Sequence, residues 1–350
     1  MNYIGSKLSL LQFLEESIGK VVDKESNVFC DLFAGTGAVG AHFKKRGYRV
    51  ISNDIQYYSF VLNKHYIENH TPLRFTKLVE VLPRLKKVSI KERGAYVLEY
   101  LSRLKGRKGF IFENYCPGGK SRRQYFLDEN GMVCDTVRMK IELWKKKKFI
   151  SEGEYYFLLT SLLEAIDKYA NTASVYGAYL KTLKKSAQRP LQLKPAELII
   201  NKGKHRVFNE DINTLVKRIK GDILYLDPPY NHRQYATNYH VLETIAKYDR
   251  PKLHGKTGLR SYEDQKSLYC SRSSVKKAFA EVIRQARVRY IFLSYNNEGL
   301  LSLKDIKEIM SLRGEYGFFK KEHSRYKADN NRKYKAKKTV EYLHYVKVQN

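Results

Sequence analysis

The sequence is poor in the features that mark disulfide, metal and membrane proteins. Its 350 residues hold four cysteines, Cys30, Cys116, Cys134 and Cys270, and no Cys-x-x-Cys pair or metal-ligand spacing links them to the nine histidines. Neither a disulfide framework nor a metal site is expected, and the thiols read as reduced. No apolar run approaches the roughly 18 residues of a membrane span. The opening Met1-Asn-Tyr-Ile-Gly-Ser-Lys7 lacks the basic-then-apolar layout of a signal peptide. The expectation is a cytoplasmic protein of a prokaryote or phage, with no membrane partner.

Acidic residues are scarce. Asp and Glu total 36 against 66 Lys and Arg, a net charge of +30 and a pI near 9.7. That excess goes well past what solubility needs and points to a polyanionic partner, with a lysine-rich genome as the alternative. The length fits one large α/β domain carrying an insertion, or two domains.

The most informative stretch is Gly221-Asp-Ile-Leu-Tyr-Leu-Asp227-Pro228-Pro229-Tyr230. Ile223 to Leu226 form a short apolar run suited to a buried parallel strand. Tandem prolines lack the N–H donors that a sheet ladder needs, so the strand must stop at Asp227. Ligands of open α/β sheets bind beyond the carboxyl ends of strands, which would set this acid and aromatic over a pocket. The group suits chemistry on an exocyclic amine of a nucleobase. Asp227 and the carbonyl of Pro228 can accept its N–H groups and favour a pyramidal nitrogen. Tyr230 can stack on a base swung out of its duplex. A capped strand end with a surface tyrosine is the plainer alternative.

Upstream, Val28-Phe-Cys-Asp31-Leu-Phe33-Ala-Gly35-Thr-Gly37-Ala-Val-Gly40 reads as a strand, a glycine-rich turn and a helix start. Asp31 before the loop argues against a pyrophosphate there and for a cationic ligand such as S-adenosylmethionine. Tyr48 to Asp54 is a second strand ending in an acid, suited to ribose hydroxyls or to a helix cap. Val207 to Asp211 is a third; Asp211 suits an adenine amino group, with helix capping as the alternative. Leu8, Leu11, Leu14 and Ile18 mark an amphipathic first helix, and Lys7 before it has no role that physics alone assigns.

From about residue 67 the chain turns basic and helical. Within it, Lys120, Arg122, Arg123 and Tyr125 interleave charge with aromatic rings, a mixture suited to phosphates and bases. Residues 251 to 275 have no strong period and read as a basic loop able to close over nucleic acid. Arg289 to Asn296 is a further buried strand, Lys320 to Lys338 a basic tail, and Thr339 to Val348 a final strand.

The set Asn2-Tyr-Ile-Gly-Ser-Lys7, Asp31-Leu-Phe-Ala-Gly-Thr-Gly37, Asp54 and Asp227-Pro-Pro-Tyr230, in that order, resembles the alpha group of the D12 class of DNA adenine-N6 methyltransferases, among them type II modification methylases. The resemblance implies a Rossmann-like α/β methyltransferase sheet over 1–66 and 195–350, with a mainly helical target-recognition insertion at 67–194. It implies that Tyr3 and Lys7 help close the S-adenosylmethionine pocket, Lys7 toward the methionine carboxylate. Phe33, Gly35 and Gly37 match the methionine loop, Asp54 the ribose contact, Asp211 the adenine contact, and Asp227, Pro228, Pro229 and Tyr230 the catalytic motif. The implied partners are double-stranded DNA and a cognate restriction endonuclease. Methylation of RNA adenine is the nearest rival, a catalytically silent nucleic-acid-binding protein the rival from another class. Cytosine-N4 transfer usually has Ser in place of Asp227, and no cysteine follows a proline as cytosine-C5 transfer requires.

Overall fold

The computed structural model describes residues 3–324 and 338–349. Most of the basic tail, 325–337, lies outside the described residues. The chain divides into two compact units: Ile4–Asn63, Asn201–Ala236 and Glu263–Asn350 form one, and Met1–Tyr3, Lys64–Ile200 and Thr237–Tyr262 the other.

The first unit is α/β. Among the described residues seven strands make one sheet: β1 (Val28–Asp31), β2 (Arg49–Asn53), β3 (Arg206–Phe208), β4 (Ile223–Leu226), β5 (Tyr290–Asn296), β6 (Gly314–Ser324) and β7 (Lys338–Val348). Their order across the sheet is β3-β2-β1-β4-β5-β7-β6. Strands β1 to β5 pair in parallel, and β7 runs antiparallel to both of its neighbours.

Side chains alternate across the strands, and the sequence supplies apolar residues at both parities. Phe29, Ile223, Tyr225 and Phe292 pack with Leu10, Leu14, Ile18 and Phe43 on one face. Cys30, Leu224, Leu226 and Leu293 pack with Phe279, Val282, Ile306 and Ile309 on the other. The first helix spans Leu11–Gly19 and buries Leu14 and Ile18, the spacing that its sequence pattern requires. Leu8 sits instead in a short 3₁₀ turn and is 62% exposed.

Because β1 leads out to β2 and β3 while β4 leads the other way to β5, the boundary between β1 and β4 is the topological switch point. In open α/β sheets ligands bind at such a point, beyond the carboxyl ends of the parallel strands. Pro228 and Pro229 end β4 at Leu226, as their missing N–H groups demand.

The second unit is mainly helical, with its long helices at Ile90–Ser102, Asp128–Lys146 and Glu152–Tyr169. Ser151 and Glu154 form a capping box at the start of the last. Buried polar groups close other helix ends. Both Asp135 carboxylate oxygens accept backbone amides, from Ile111 at 2.9 Å and Phe112 at 2.8 Å, at the start of Phe110–Tyr115. Arg138 donates to the carbonyls of Ile245 at 3.0 Å and Ala246 at 3.1 Å, near the end of His240–Lys247. Residues 251–262 do not form a featureless loop. Leu253–His254 and Leu259–Arg260 pair as an antiparallel hairpin, and Arg260 grips Asp249 through two nitrogens at 2.9 and 2.6 Å. No helix among the described residues is long and apolar enough to cross a membrane.

Candidate active site

The glycine turn after β1 is braced from beneath. Gly35 and Gly37 have φ of +51° and +79°, a region that costs other residues steric strain. Asn63 donates to the Gly35 carbonyl at 3.1 Å and itself accepts the Ser52 hydroxyl at 2.7 Å. Ser59 also donates to the Gly35 carbonyl. A Cβ on Gly37 would lie 2.8 Å from Asn63 Oδ1, so the turn is closed to larger residues on that side. Asp54 accepts the Gly35 amide at 2.8 Å and the Gln56 amide at 2.9 Å, which ties the end of β2 to the turn. Buried Asn53 reaches the carbonyls of Leu32 at 3.3 Å and Glu210 at 3.1 Å and holds the ends of β1 and β3 together.

Asp31 is 1% exposed. Its Oδ2 accepts the Gly40 amide at 3.2 Å, while Oδ1 is buried with no hydrogen-bond partner among the described residues. Burial pushes its carboxyl up to about 8, helped by the Asp227 charge and opposed by the Gly40 amide. A carboxyl oxygen with no partner among the described residues, next to the glycine turn, fits an ammonium or sulfonium group. Phe33 is partly buried and meets Tyr269 edge-on at 4.9 Å. Asp211 is exposed and caps its own helix by accepting the Thr214 amide at 3.2 Å.

At the end of β4, Asp227 Oδ1 lies 3.0 Å from Lys7 Nζ, and the same nitrogen lies 3.1 Å from Glu341 Oε1 on β7. Glu341 Oε1 also accepts the Ser294 hydroxyl of β5 at 2.5 Å. Lys7 and Glu341 are almost wholly enclosed, at 6% and 4%, and Asp227 keeps 15% of its side-chain surface open. Burial pushes the Asp227 carboxyl up to about 6; Lys7 pulls it down and Glu341 adds to the rise. Burial disfavours the charged form of Lys7, but Asp227 and Glu341 outweigh it and hold the ammonium well above the usual lysine range.

Tyr230 is partly buried, edge-on to Tyr295 at 6.4 Å, and its carbonyl accepts the Leu300 amide at 3.1 Å. Gly5 lies close by with φ +77°; a Cβ there would stand 2.9 Å from the Tyr235 hydroxyl and 3.9 Å from that of Tyr230. Lys7 thus belongs with the Asp-Pro-Pro-Tyr group. Tyr3 lies in the helical unit, stacked on Tyr239 at 4.6 Å.

The four residues singled out for nucleic acid separate into two kinds. Lys120 and Arg122 are exposed. Arg123 donates to the carbonyls of Asn114, Gly255 and Lys256 at 2.9 to 3.0 Å and so pins the 253–260 hairpin. Tyr125 is fully buried, with its hydroxyl 2.7 Å from the Tyr176 carbonyl, and offers no ring face for stacking. Sequence reasoning missed Glu341, Ser294 and the bracing residues Asn53 and Asn63. In the alternating pattern of the final strand an inward-facing acid carries no signal of its own.

Strand order, the glycine turn after β1 and the acid-proline exit from β4 at the switch point define a Rossmann-like methyltransferase fold. The family model for the D12 class N6 adenine-specific DNA methyltransferases matches residues 3–312, and the chain belongs to that family. It is 51% identical to the type II methyltransferase M.NlaIII of Neisseria lactamica over 348 residues, 98% of each chain. It is 41% identical to M.FokI of Planomicrobium okeanokoites over 352 residues, which is 99% of this chain but 52% of that longer protein. M.CviAII of Paramecium bursaria Chlorella virus 1 is 36% identical, covering 94% of this chain and 93% of its own.

Proposed function

We propose that the protein is a site-specific, S-adenosylmethionine-dependent methyltransferase that modifies N6 of an adenine flipped out of duplex DNA, in the cytoplasm, as the modification partner of a restriction endonuclease. The observation that carries this reading is the partly open Asp227 carboxylate at the switch point, fixed by Lys7 and flanked by Tyr230. Membership of the adenine-N6 family fixes the kind of amine, and the type II methyltransferases among its relatives support the modification role.

In this reading Asp227 and the Pro228 carbonyl accept the two amino protons and hold the nitrogen pyramidal, while Tyr230 stacks on the extruded base. Bound S-adenosylmethionine supplies a methyl group on a sulfonium, a leaving group that needs no acid. The chain's task is therefore alignment more than proton transfer. Asp31 holds the cofactor's ammonium, Asp54 its ribose and Asp211 its adenine amino group. Phe33, Gly35 and Gly37 line the methionine end. With Lys7 already shared between two carboxylates, we assign it to Asp227 rather than to the methionine carboxylate. The helical unit reads the target sequence. Lys120 and Arg122 contact phosphates there, whereas Arg123 and Tyr125 shape the fold.

Transfer of labelled methyl to duplex DNA in competition with structured RNA tests the proposal. Label confined to duplex adenines is the expected result, and label confined to RNA would move the substrate to that class.

A further inference from the structure

The triad around Lys7 carries an inference beyond the residues that the family model spans, since Glu341 lies past residue 312, where the match ends. Three elements distant in sequence converge: the segment before the first helix brings Lys7, the exit of β4 brings Asp227, and β7 brings Glu341. Ser294 on β5 donates to the same Glu341 oxygen that Lys7 contacts. One ammonium serves two carboxylates in an enclosed place, where charge interactions are strong.

We propose that Glu341 is a positioning residue for methyl transfer, dividing the charge of Lys7 so that Asp227 stays fixed in place yet remains a strong acceptor for the substrate amine. This rests on the reading of Asp227 given above. With Glu341 neutral, Lys7 would pair with Asp227 alone and take up its oxygen, leaving a weaker acceptor. With Lys7 neutral, Asp227 would face Glu341 with no cation between them and would hold its proton to higher pH. The other titratable groups facing this cluster are Tyr225 on β4, Tyr230 in the exit loop, Asp31 on β1 and His344 on β7. None of these is altered by the two substitutions below.

The test is the pH profile of single-turnover methyl transfer for the wild type, E341Q and K7M, alongside a carbon NMR titration of the Asp227 carboxyl. Glutamine keeps the shape of Glu341 and its acceptor for Ser294, and methionine keeps the length of Lys7. The acid limb moves to lower pH in E341Q and to higher pH in K7M, each by on the order of one pH unit, or about tenfold in rate on the limb. The DNA concentration for half-maximal rate stays constant while the maximal single-turnover rate carries the change. Coincident limbs, or limbs that shift in the same direction, would overturn the inference. A wild type that transfers no methyl to adenine would instead defeat the functional reading, and the carboxyl titration would still decide the charge coupling.

Discussion

Asp31 pairs in register with Tyr225 across the β1–β4 boundary, which brings two carboxylates, Asp31 and Asp227, to the ends of neighbouring parallel strands. One is sealed, with one oxygen that has no partner among the described residues; the other is partly open and tied to a lysine. Burial raises both, Asp31 to about 8 and Asp227 to about 6.

The Asp31 carboxyl therefore holds its proton in the free fold well above the pH at which it would lose it in the unfolded chain. For an acid raised in this way the stability penalty is absent below about pH 4, grows as pH rises, and is complete above about 8. Asp31→Asn removes that penalty, so its melting temperature exceeds the wild type's by several degrees at pH 8 and by little at pH 4. Calorimetry at the two pH values checks the difference.

A cationic cofactor beside Asp31 favours its ionised form, so binding near pH 7 releases a proton. Affinity for S-adenosylmethionine rises several-fold between pH 6 and 8 in the wild type and loses that dependence in Asp31→Asn. Titration calorimetry in buffers of different ionisation enthalpy reads the proton directly. Equal heats in all buffers would place the cation elsewhere.

The glycine turn makes a steric prediction. Gly37→Ala forces φ +79° on a residue with a Cβ and drives that Cβ to 2.8 Å from Asn63 Oδ1. Strain of this kind costs about 1–2 kcal/mol. Denaturant unfolding measures the loss, and weaker cofactor binding accompanies it because Asn63 also holds the Gly35 carbonyl.

In the helical unit, exposed and buried residues of one short segment behave differently. Lys120→Ala and Arg122→Ala each reduce the salt dependence of DNA binding by a slope of about 1. Tyr125→Phe leaves the slope unchanged and costs about 1 kcal/mol of stability through its lost hydrogen bond. A changed slope for Tyr125→Phe would return it to the DNA surface.

Much of the sheet was legible because its signals are local. Apolar runs end on Asp31, Asn53 and Leu226, with glycines after the first and prolines after the last to mark the stop. What the sequence hid depends on long-range contact. Arg123 and Tyr125 have the composition of a nucleic-acid surface, yet carbonyls from residues far along the chain claim their polar groups. The hairpin at 253–260 is two residues deep on each side, too short for a periodic pattern. Glu341 looks like one polar position in an alternating strand until β7 inserts beside β5 and turns it toward Lys7.

The central claim is that Asp227 holds the adenine amine. Its most direct test is nucleoside mass spectrometry of duplex DNA after incubation with cofactor and either the wild type or Asp227→Asn. The account predicts N6-methyladenine within one short motif for the wild type, a yield lower by about 10²–10³-fold or more for the variant, and unchanged binding of DNA and cofactor. Near wild-type N6-methyladenine from Asp227→Asn would contradict it.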